Sequence, residues 1–251
     1  MKAANLTGVK PVSNNCGDCP IQRQAICSRC GSDELLVLEK MKTYRTYEKG
    51  EMITYSGAPV THVGTLVSGV ASISQGLDDG RRQIMGILLP SDFVGRPGAS
   101  EAHYDITAAS EVVMCRFEIR AFERLLATSP ALAPRLLEMT MDELDAAREW
   151  MLLLGRKSAR EKIATLIYMI ALKTRSLSGA SAGEAFAFML PLTRETLADY
   201  LGLTIETVSR QISALRRDGV VSLTGQREIL IPDFRRLLDE TGDDYSGNVL
   251  P

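Results

Sequence analysis

The chain has 251 residues, 45% of them hydrophobic and 24% charged, with a formal net charge of −2. At roughly 100–200 residues per domain this is one large domain or two ordinary ones, and the composition excludes a disordered, collagen-like or low-complexity chain. No apolar run reaches the roughly eighteen residues a membrane-spanning helix needs, the N-terminus lacks the apolar stretch of a secretory signal, and the charge balance announces no strongly basic nucleic-acid binder; a cytoplasmic protein with no membrane contact is expected.

Four of the five cysteines, Cys16, Cys19, Cys27 and Cys30, fall within fifteen residues, and the fifth, Cys115, is remote. Gly17, Asp18 and Pro20 make their surroundings turn-rich and polar, unlike a core strand. In a reducing compartment clustered thiols bind metal more readily than they build a disulfide framework. A metal ion or metal cluster is therefore expected on an irregular arm, residues 1–31, that orders around its ligand.

Ser32 is placed to cap a short helix over 32–42 with Leu35, Leu36, Leu38 and Met41 inward. From about 44 to 120, glycines recur every several residues between short apolar stretches such as 67–73 and 84–89. Asp79-Gly80 is a two-residue hairpin signal. Many short strands with regular turns indicate a β-sandwich or roll, assigned to 32–128. In its last strand, alternation puts Val113, Cys115 and Phe117 on one face and Val112, Met114 and Arg116 on the other. A short helix over 119–127 is expected to pack on the roll.

Pro130 and Pro134 open a long helix, assigned to 129–156. Leu137, Met141, Leu144, Arg148 and Met151 recur at spacings of four, three, four and three, a heptad seam with one charged interruption. Glu138, Asp142, Glu143, Asp145 and Glu149 keep the other faces polar. The partner of this seam is another element of the same chain or a two-fold mate, and its position between two domains favours the homodimer. Residues 155–158 are expected to break the helix. A second helix follows with Ile163, Leu166, Ile167, Ile170 and Ala171 inward, and the Ser-, Ala- and Gly-rich 176–183 reads as a loop.

The remainder, 157–251, reads as a compact module with a frayed polar tail after Thr241. Thr193 caps a helix over 194–200 that buries Leu197, Ala198 and Leu201, and Gly202 ends it. Thr204 caps a second helix over 205–217 with Val208, Ile212 and Leu215 inward. A hairpin, 220–223 and 228–231 about Thr224-Gly225, completes a winged helix-turn-helix. On the second helix Glu206, Ser209 and Arg210 share one exposed face. Arginine grips guanine with two hydrogen bonds, glutamate accepts from a base amino group, and serine serves either. Thr193, Arg194, Thr204, Gln211 and Arg216 are candidates for phosphate contacts. Double-stranded DNA is the expected partner, read weakly by a monomer and better by two half-sites.

Together these pieces resemble the CRP/FNR family of bacterial transcription regulators, and within it the FNR subgroup. The likeness covers nearly the whole chain. It is most specific at Glu206-Thr207-Val208-Ser209-Arg210, which matches the FNR recognition signature, and at Cys16-x2-Cys19-x7-Cys27 with a distant Cys115, which looks like the FNR-type proteins of alphaproteobacteria. The resemblance implies an α+β fold: a cyclic-nucleotide-binding-like β-roll, a long dimerisation helix and a C-terminal winged helix-turn-helix. It also implies a homodimer that binds TTGAT-like half-sites and works with RNA polymerase. Its cofactor would be an oxygen-labile [4Fe–4S] cluster on Cys16, Cys19, Cys27 and Cys115, soft thiolates being suited to iron and sulfide. Cys30 is an extra thiol that can replace Cys27 in that set. A four-thiolate zinc site on Cys16, Cys19, Cys27 and Cys30 is the alternative, and a thiol-redox switch the next. The phosphate clamp of the CRP branch is missing from Val94-Gly95-Arg96-Pro97-Gly98 and Ile106-Thr107-Ala108-Ala109, so cyclic-nucleotide binding is not expected. Haem is disfavoured with only His62 and His103 present. No glycine-rich phosphate motif or acid–base pair supports an iron–sulfur electron-transfer enzyme, and the expected role is an oxygen-responsive regulator, not an enzyme.

Overall fold

A computed structural model describes residues 4–5, 15–76, 82–180, 185–225 and 227–243. The expected Asp79-Gly80 turn and the tail beyond 243 lie outside the described residues. The chain forms two compact units, Thr7–Leu144, and Met1–Leu6 with Asp145–Pro251. Strand β1 (Ala4–Asn5) belongs to the second of these.

In the first unit a 3-10 turn (Cys16–Asp18) leads through further turns to α1 (Ser32–Met41). The roll follows: β2 (Thr43–Tyr47), β3 (Met52–Thr54), β4 (His62–Ser68), β5 (Ala71–Gly76), β6 (Arg82–Leu88), β7 (Phe93–Val94), β8 (Asp105–Ala108) and β9 (Val112–Glu118). They build two antiparallel four-stranded sheets, β2-β9-β4-β7 and β3-β8-β5-β6. The expected apolar run over 67–73 is split between β4 and β5, because Gly69 at φ +84° turns the chain. Between the sheets lies a core of Tyr47, Leu66, Leu88, Val94, Ile106, Val112 and Met114. The other face of β2-β9-β4-β7 carries a second core, in which Ile26, Leu38, Val63, Phe117, Phe122 and Leu132 are buried. The alternation along β9 thus places Met114 in the roll and Cys115 and Phe117 in the second core. Strands β4 and β9 approach so closely there that a Cβ on Gly64 would stand 2.1 Å from the Cys115 carbonyl oxygen. That position admits only glycine.

Helix α1 begins at Ser32 itself, so its cap falls one residue earlier than expected. Gly31 is its N-cap, and the Glu34 carboxylate accepts from the Gly31 N–H at 3.0 Å. Leu38 is buried as expected, but Leu36 is 55% exposed. Helix α2 (Ile119–Thr128) packs on the sheet through Ile119 and Phe122. The long helix α3 spans Leu132–Arg156, and the unit boundary falls within it. It continues through Gly155 to Arg156, and the break falls at 157–158, inside the expected interval, where Ser158 caps the next helix with Glu161 as its reciprocal partner.

In the second unit α4 (Ala159–Ser178) buries Ile163, Leu166, Ile167, Ile170 and Ala171. It runs through Ser178 to a left-handed Gly179 cap, so 176–178 are helical where a loop was expected. Strand β10 (Phe186–Met189), which sequence patterning missed, pairs parallel with β1 and antiparallel with β12 (Glu228–Ile231), and β12 pairs with β11 (Ser222–Thr224). Helices α5 (Arg194–Leu201) and α6 (Ile205–Arg217) precede the hairpin, and α7 (Phe234–Asp239) follows it. Gly202 takes φ +62° between α5 and α6, the left-handed value that a three-residue turn needs. Trp150 of α3 stacks on Tyr200 of α5 with ring centroids 3.9 Å apart, joining the end of the long helix to the first helix of the motif.

Candidate functional site

The cysteine arm is irregular, as its composition predicts, but it is not featureless. Asn15 caps the first turn by accepting from the Gly17 N–H at 2.8 Å. Turn hydrogen bonds follow, from Gln22 N–H to the Cys19 carbonyl at 3.0 Å and from Ala25 N–H to the Ile21 carbonyl at 2.9 Å. Between the thiols Ile21, Ala25 and Ile26 are almost fully buried. These apolar anchors escaped the sequence reading because three residues in an irregular segment make no period.

All five thiols are free. One apolar-walled cavity is lined by Cys16, Cys19, Cys27 and Cys115 together with Ile26, Leu38, Tyr44, Thr65 and Phe117. Cys115 reaches it from the sheet and the other three from the arm. Cys30 does not line it, although its N–H donates to the Cys27 carbonyl at 3.1 Å. The sheet register explains the floor of the cavity. Tyr44 of β2 and Thr65 of β4 lie directly opposite Cys115 on its two sides, and Phe93 of β7 lies opposite Thr65. Cross-strand partners share a face, so this row points at the arm.

The surroundings favour the neutral form of Cys19, Cys27, Cys30 and Cys115. Burial pushes Cys27 and Cys115 up to about 12, helped by the neighbouring thiols. Burial also raises Cys30 to about 11 and lifts Cys19. Tyr44, which lines the same cavity, is raised by burial and then by Cys115, Cys19, Cys16 and Cys27. The Lys42 ammonium donates to Cys16 Sγ at 3.2 Å, and the Cys16 N–H donates to the Glu39 carboxylate at 2.8 Å. Low-pKa thiolates are the reactive kind. Thiols raised by burial are instead deprotonated by a bound cation, which supplies the charge that burial penalises.

The arm is tied to the start of α3. Arg29 and Arg135 both grip the Glu138 carboxylate at 2.6 Å, and Arg135 also donates to the Gln24 carbonyl at 2.6 Å. The Ser129 hydroxyl donates to Glu34 and accepts from the Leu132 N–H at 3.1 Å, which caps α3 and joins it to α1. Along α3, Leu137 is 60% exposed, Met141 49%, Leu144 43% and Met151 67%, with Arg148 exposed between them. The expected seam is thus an apolar stripe left open on the chain.

In the second unit Thr193 and Thr204 accept from the N–H groups of Thr196 at 3.1 Å and Thr207 at 3.2 Å, capping α5 and α6. Val208, Ile212 and Leu215 turn inward at 0–1% exposure, which turns Glu206, Ser209 and Arg210 outward. The exposed Glu206 carboxyl is held below its ordinary range by its own backbone N–H and by Thr204. Arg210 extends a guanidinium nitrogen to the Thr207 hydroxyl at 3.5 Å. Arg216 is exposed, whereas Gln211 and Arg194 are half-buried.

A cyclic-nucleotide-type roll, a long open helix and a winged helix-turn-helix are the build of a DNA-binding regulator. Comparison with known proteins agrees in both halves: residues 44–129 match the model of the cyclic nucleotide-binding domain, and residues 161–240 that of the Crp-like helix-turn-helix domain. The chain is 53% identical to the transcriptional activator protein FnrL of Cereibacter sphaeroides, over 97% of this chain and 98% of that one. It is 35% identical to the nitrogen fixation regulation protein FixK of Bradyrhizobium diazoefficiens, over 86% and 89%. The solved structure of FixK2 from Bradyrhizobium japonicum superposes with a TM-score of 0.71 at 32% identity, covering 81% of this chain and 98% of that one. The chain belongs to the CRP/FNR family of transcription regulators, in the FNR subgroup found in alphaproteobacteria. Its role is DNA-binding transcription regulation. Among the described residues no helix is long and apolar enough to cross a membrane.

Proposed function

We propose that the chain is an oxygen-responsive regulator in which Cys16, Cys19, Cys27 and Cys115 hold a [4Fe–4S] cluster that governs dimerisation and binding to TTGAT-like half-sites. The observation that carries this reading is the lining of one cavity by thiols from two remote segments, with Cys30 left outside. The donor set fits the group: four soft sulfurs lining one apolar-walled cavity. A mononuclear zinc centre draws four sulfurs to about 2.3 Å from one ion, whereas a four-iron cluster takes one thiolate at each iron and spaces the sulfurs around a core. The presence of Cys115 and the absence of Cys30 in the cavity lining support the cluster over a zinc site on the four arm cysteines.

When bound, the group supplies an oxygen-labile iron–sulfur centre that joins arm and sheet. The chain's own residues do the rest. With the thiols engaged, Ile21 and Ile26 stay packed, Arg29 and the Gln24 carbonyl stay on Glu138 and Arg135, and the first turns of α3 are held in one position. Leu137 and Met141 lie on those turns, so their packing against a second copy depends on the arm. Release of the arm removes that support and lowers the dimer fraction, a shift between two states driven by a ligand that prefers one. The dimer presents two α6 helices roughly 34 Å apart, one turn of DNA. Arg210, Glu206 and Ser209 read base edges, and the dimer meets RNA polymerase in the cytoplasm, where the DNA is.

The test is iron and sulfide content with visible absorbance on anaerobically prepared protein, followed by the dimer fraction before and after air. About four irons and four sulfides per chain, bleaching in air together with dissociation, is the expected result. Zinc alone would establish the four-thiolate alternative, and metal-free protein indifferent to air would end the proposal.

A further inference from the structure

One polar atom in the thiol cavity has no role in the fold. Thr65 is 2% exposed, its Oγ1 is buried, and that oxygen has no hydrogen-bond partner. The residue lies in β4 between Gly64 and Leu66, directly opposite Cys115, and lines the same cavity as the four thiols. Valine has nearly the same shape, prefers strands equally and carries no hydroxyl to desolvate. A threonine kept here without a partner pays a penalty that a valine escapes.

The chemistry of the neighbours says when the hydroxyl finds its partner. A neutral thiol is a weak acceptor. A metal-bound thiolate or an inorganic sulfide is anionic, and hydrogen bonds to ionised acceptors are about twice as strong as neutral ones. Residues directly opposite each other have Cβ atoms about 4.5–5.5 Å apart, within reach for a hydroxyl and a sulfur. Hydrogen bonds to the sulfurs are one of the levers by which a protein tunes an iron–sulfur centre.

We infer that the Thr65 hydroxyl donates a hydrogen bond to sulfur in the loaded cavity, with the Cys115 thiolate as its acceptor, and thereby slows loss of the bound group in air. This rests on the cluster reading above. Thr65 is a positioning residue and holds no metal itself. Its contribution exists only in the loaded state, because the unloaded cavity offers it no strong acceptor.

That state dependence gives the test a sign that a merely structural role cannot imitate. Full-length wild type, Thr65→Val and Thr65→Ser are loaded anaerobically with iron and sulfide. Visible absorbance is followed in air-saturated buffer, and the melting temperature of each unloaded protein is measured. Thr65→Val should bleach about tenfold faster, the lower end of what loss of an outer hydrogen bond to a ligand causes. Its unloaded form should melt at or above the wild-type temperature, since a buried unpaired hydroxyl is gone. Thr65→Ser should bleach like wild type. Equal bleaching of valine variant and wild type overturns the inference alone and leaves the cluster reading standing. A valine variant that is less stable unloaded, or a serine variant as labile as the valine one, assigns Thr65 to packing and overturns it as well. Wild type that takes up neither iron nor sulfide overturns both.

Discussion

The DNA-reading surface and the thiol cavity are assembled at opposite ranges along the chain. Helix α6 takes its start from Thr204, its buried face from Val208, Ile212 and Leu215, and its exposed face from what remains, all within thirteen helical residues and their cap. The cavity draws on the arm, α1, β2, β4 and β9. One surface is exposed and needs only its own neighbours. The other is buried and exists only once the sheet has closed and the arm has folded back on it. Under the proposed cluster reading, control falls on the long-range structure and leaves the local folding of α6 untouched.

Cysteine variants give the largest expected effect and test the long-range half of that contrast. Cys27→Ser and Cys115→Ser each remove a cavity thiol, and anaerobic preparations should lose their iron, their sulfide and their visible absorbance. Cys30→Ser removes a thiol outside the cavity and should retain all three at wild-type level. The reverse pattern, with Cys115 dispensable and Cys30 essential, would replace the cavity with a centre confined to the arm.

The local half is tested at Arg210. Its replacement by alanine should cost about 1–3 kcal/mol of DNA affinity and relax preference at one base position, measured against single-base changes in a TTGAT-like site at constant salt. Arg216→Ala should weaken binding to all of these sequences alike and flatten the salt dependence, as a lost phosphate contact does. If Arg210→Ala behaves like Arg216→Ala, the exposed face of α6 is positioning the protein and not reading it.

The same difference of range explains what could be read from the sequence. Caps, turn glycines and helical spacing are local, and the motif was legible almost to the residue: Thr193, Gly202 and Thr204 stand where they were expected. The roll was legible as a class, because alternation and glycine punctuation are local too, and the two faces of β9 followed from period two alone. Strand pairing is not local. Strand β10 escaped because Phe186–Met189 alternates with nothing polar, being buried on successive residues. Tyr44 and Thr65 escaped for a related reason. Nothing in their own neighbourhood marks them, and they become part of the site only through the register that sets them beside Cys115. The thiols themselves were visible because clustered cysteines are rare, but that Cys27 lines the cavity and Cys30 does not depends on the fold of the arm.

The smallest expected effect lies where arm and helix meet. Glu138 is partly exposed and bridges Arg29 and Arg135, and Arg135 in particular holds its carboxyl below the ordinary range. A lowered carboxyl adds stability above the ordinary carboxylate range, and loses it as pH falls through the lowered one. Glu138→Gln should therefore lower the melting temperature near neutral pH by at most about two degrees, as exposed ion pairs are weak. The gap should close as both proteins are acidified, and melting curves across pH measure it directly. A gap unchanged in acid means that glutamine disturbs packing instead of charge. The dimer fraction of the same variant then bears on the coupling itself. If it stays near wild type in the loaded protein, the link from arm to α3 runs through the buried Ile26, Leu38 and Leu132 cluster. If it falls as far as in Cys27→Ser, two arginines and one carboxylate carry the signal despite their small share of the stability.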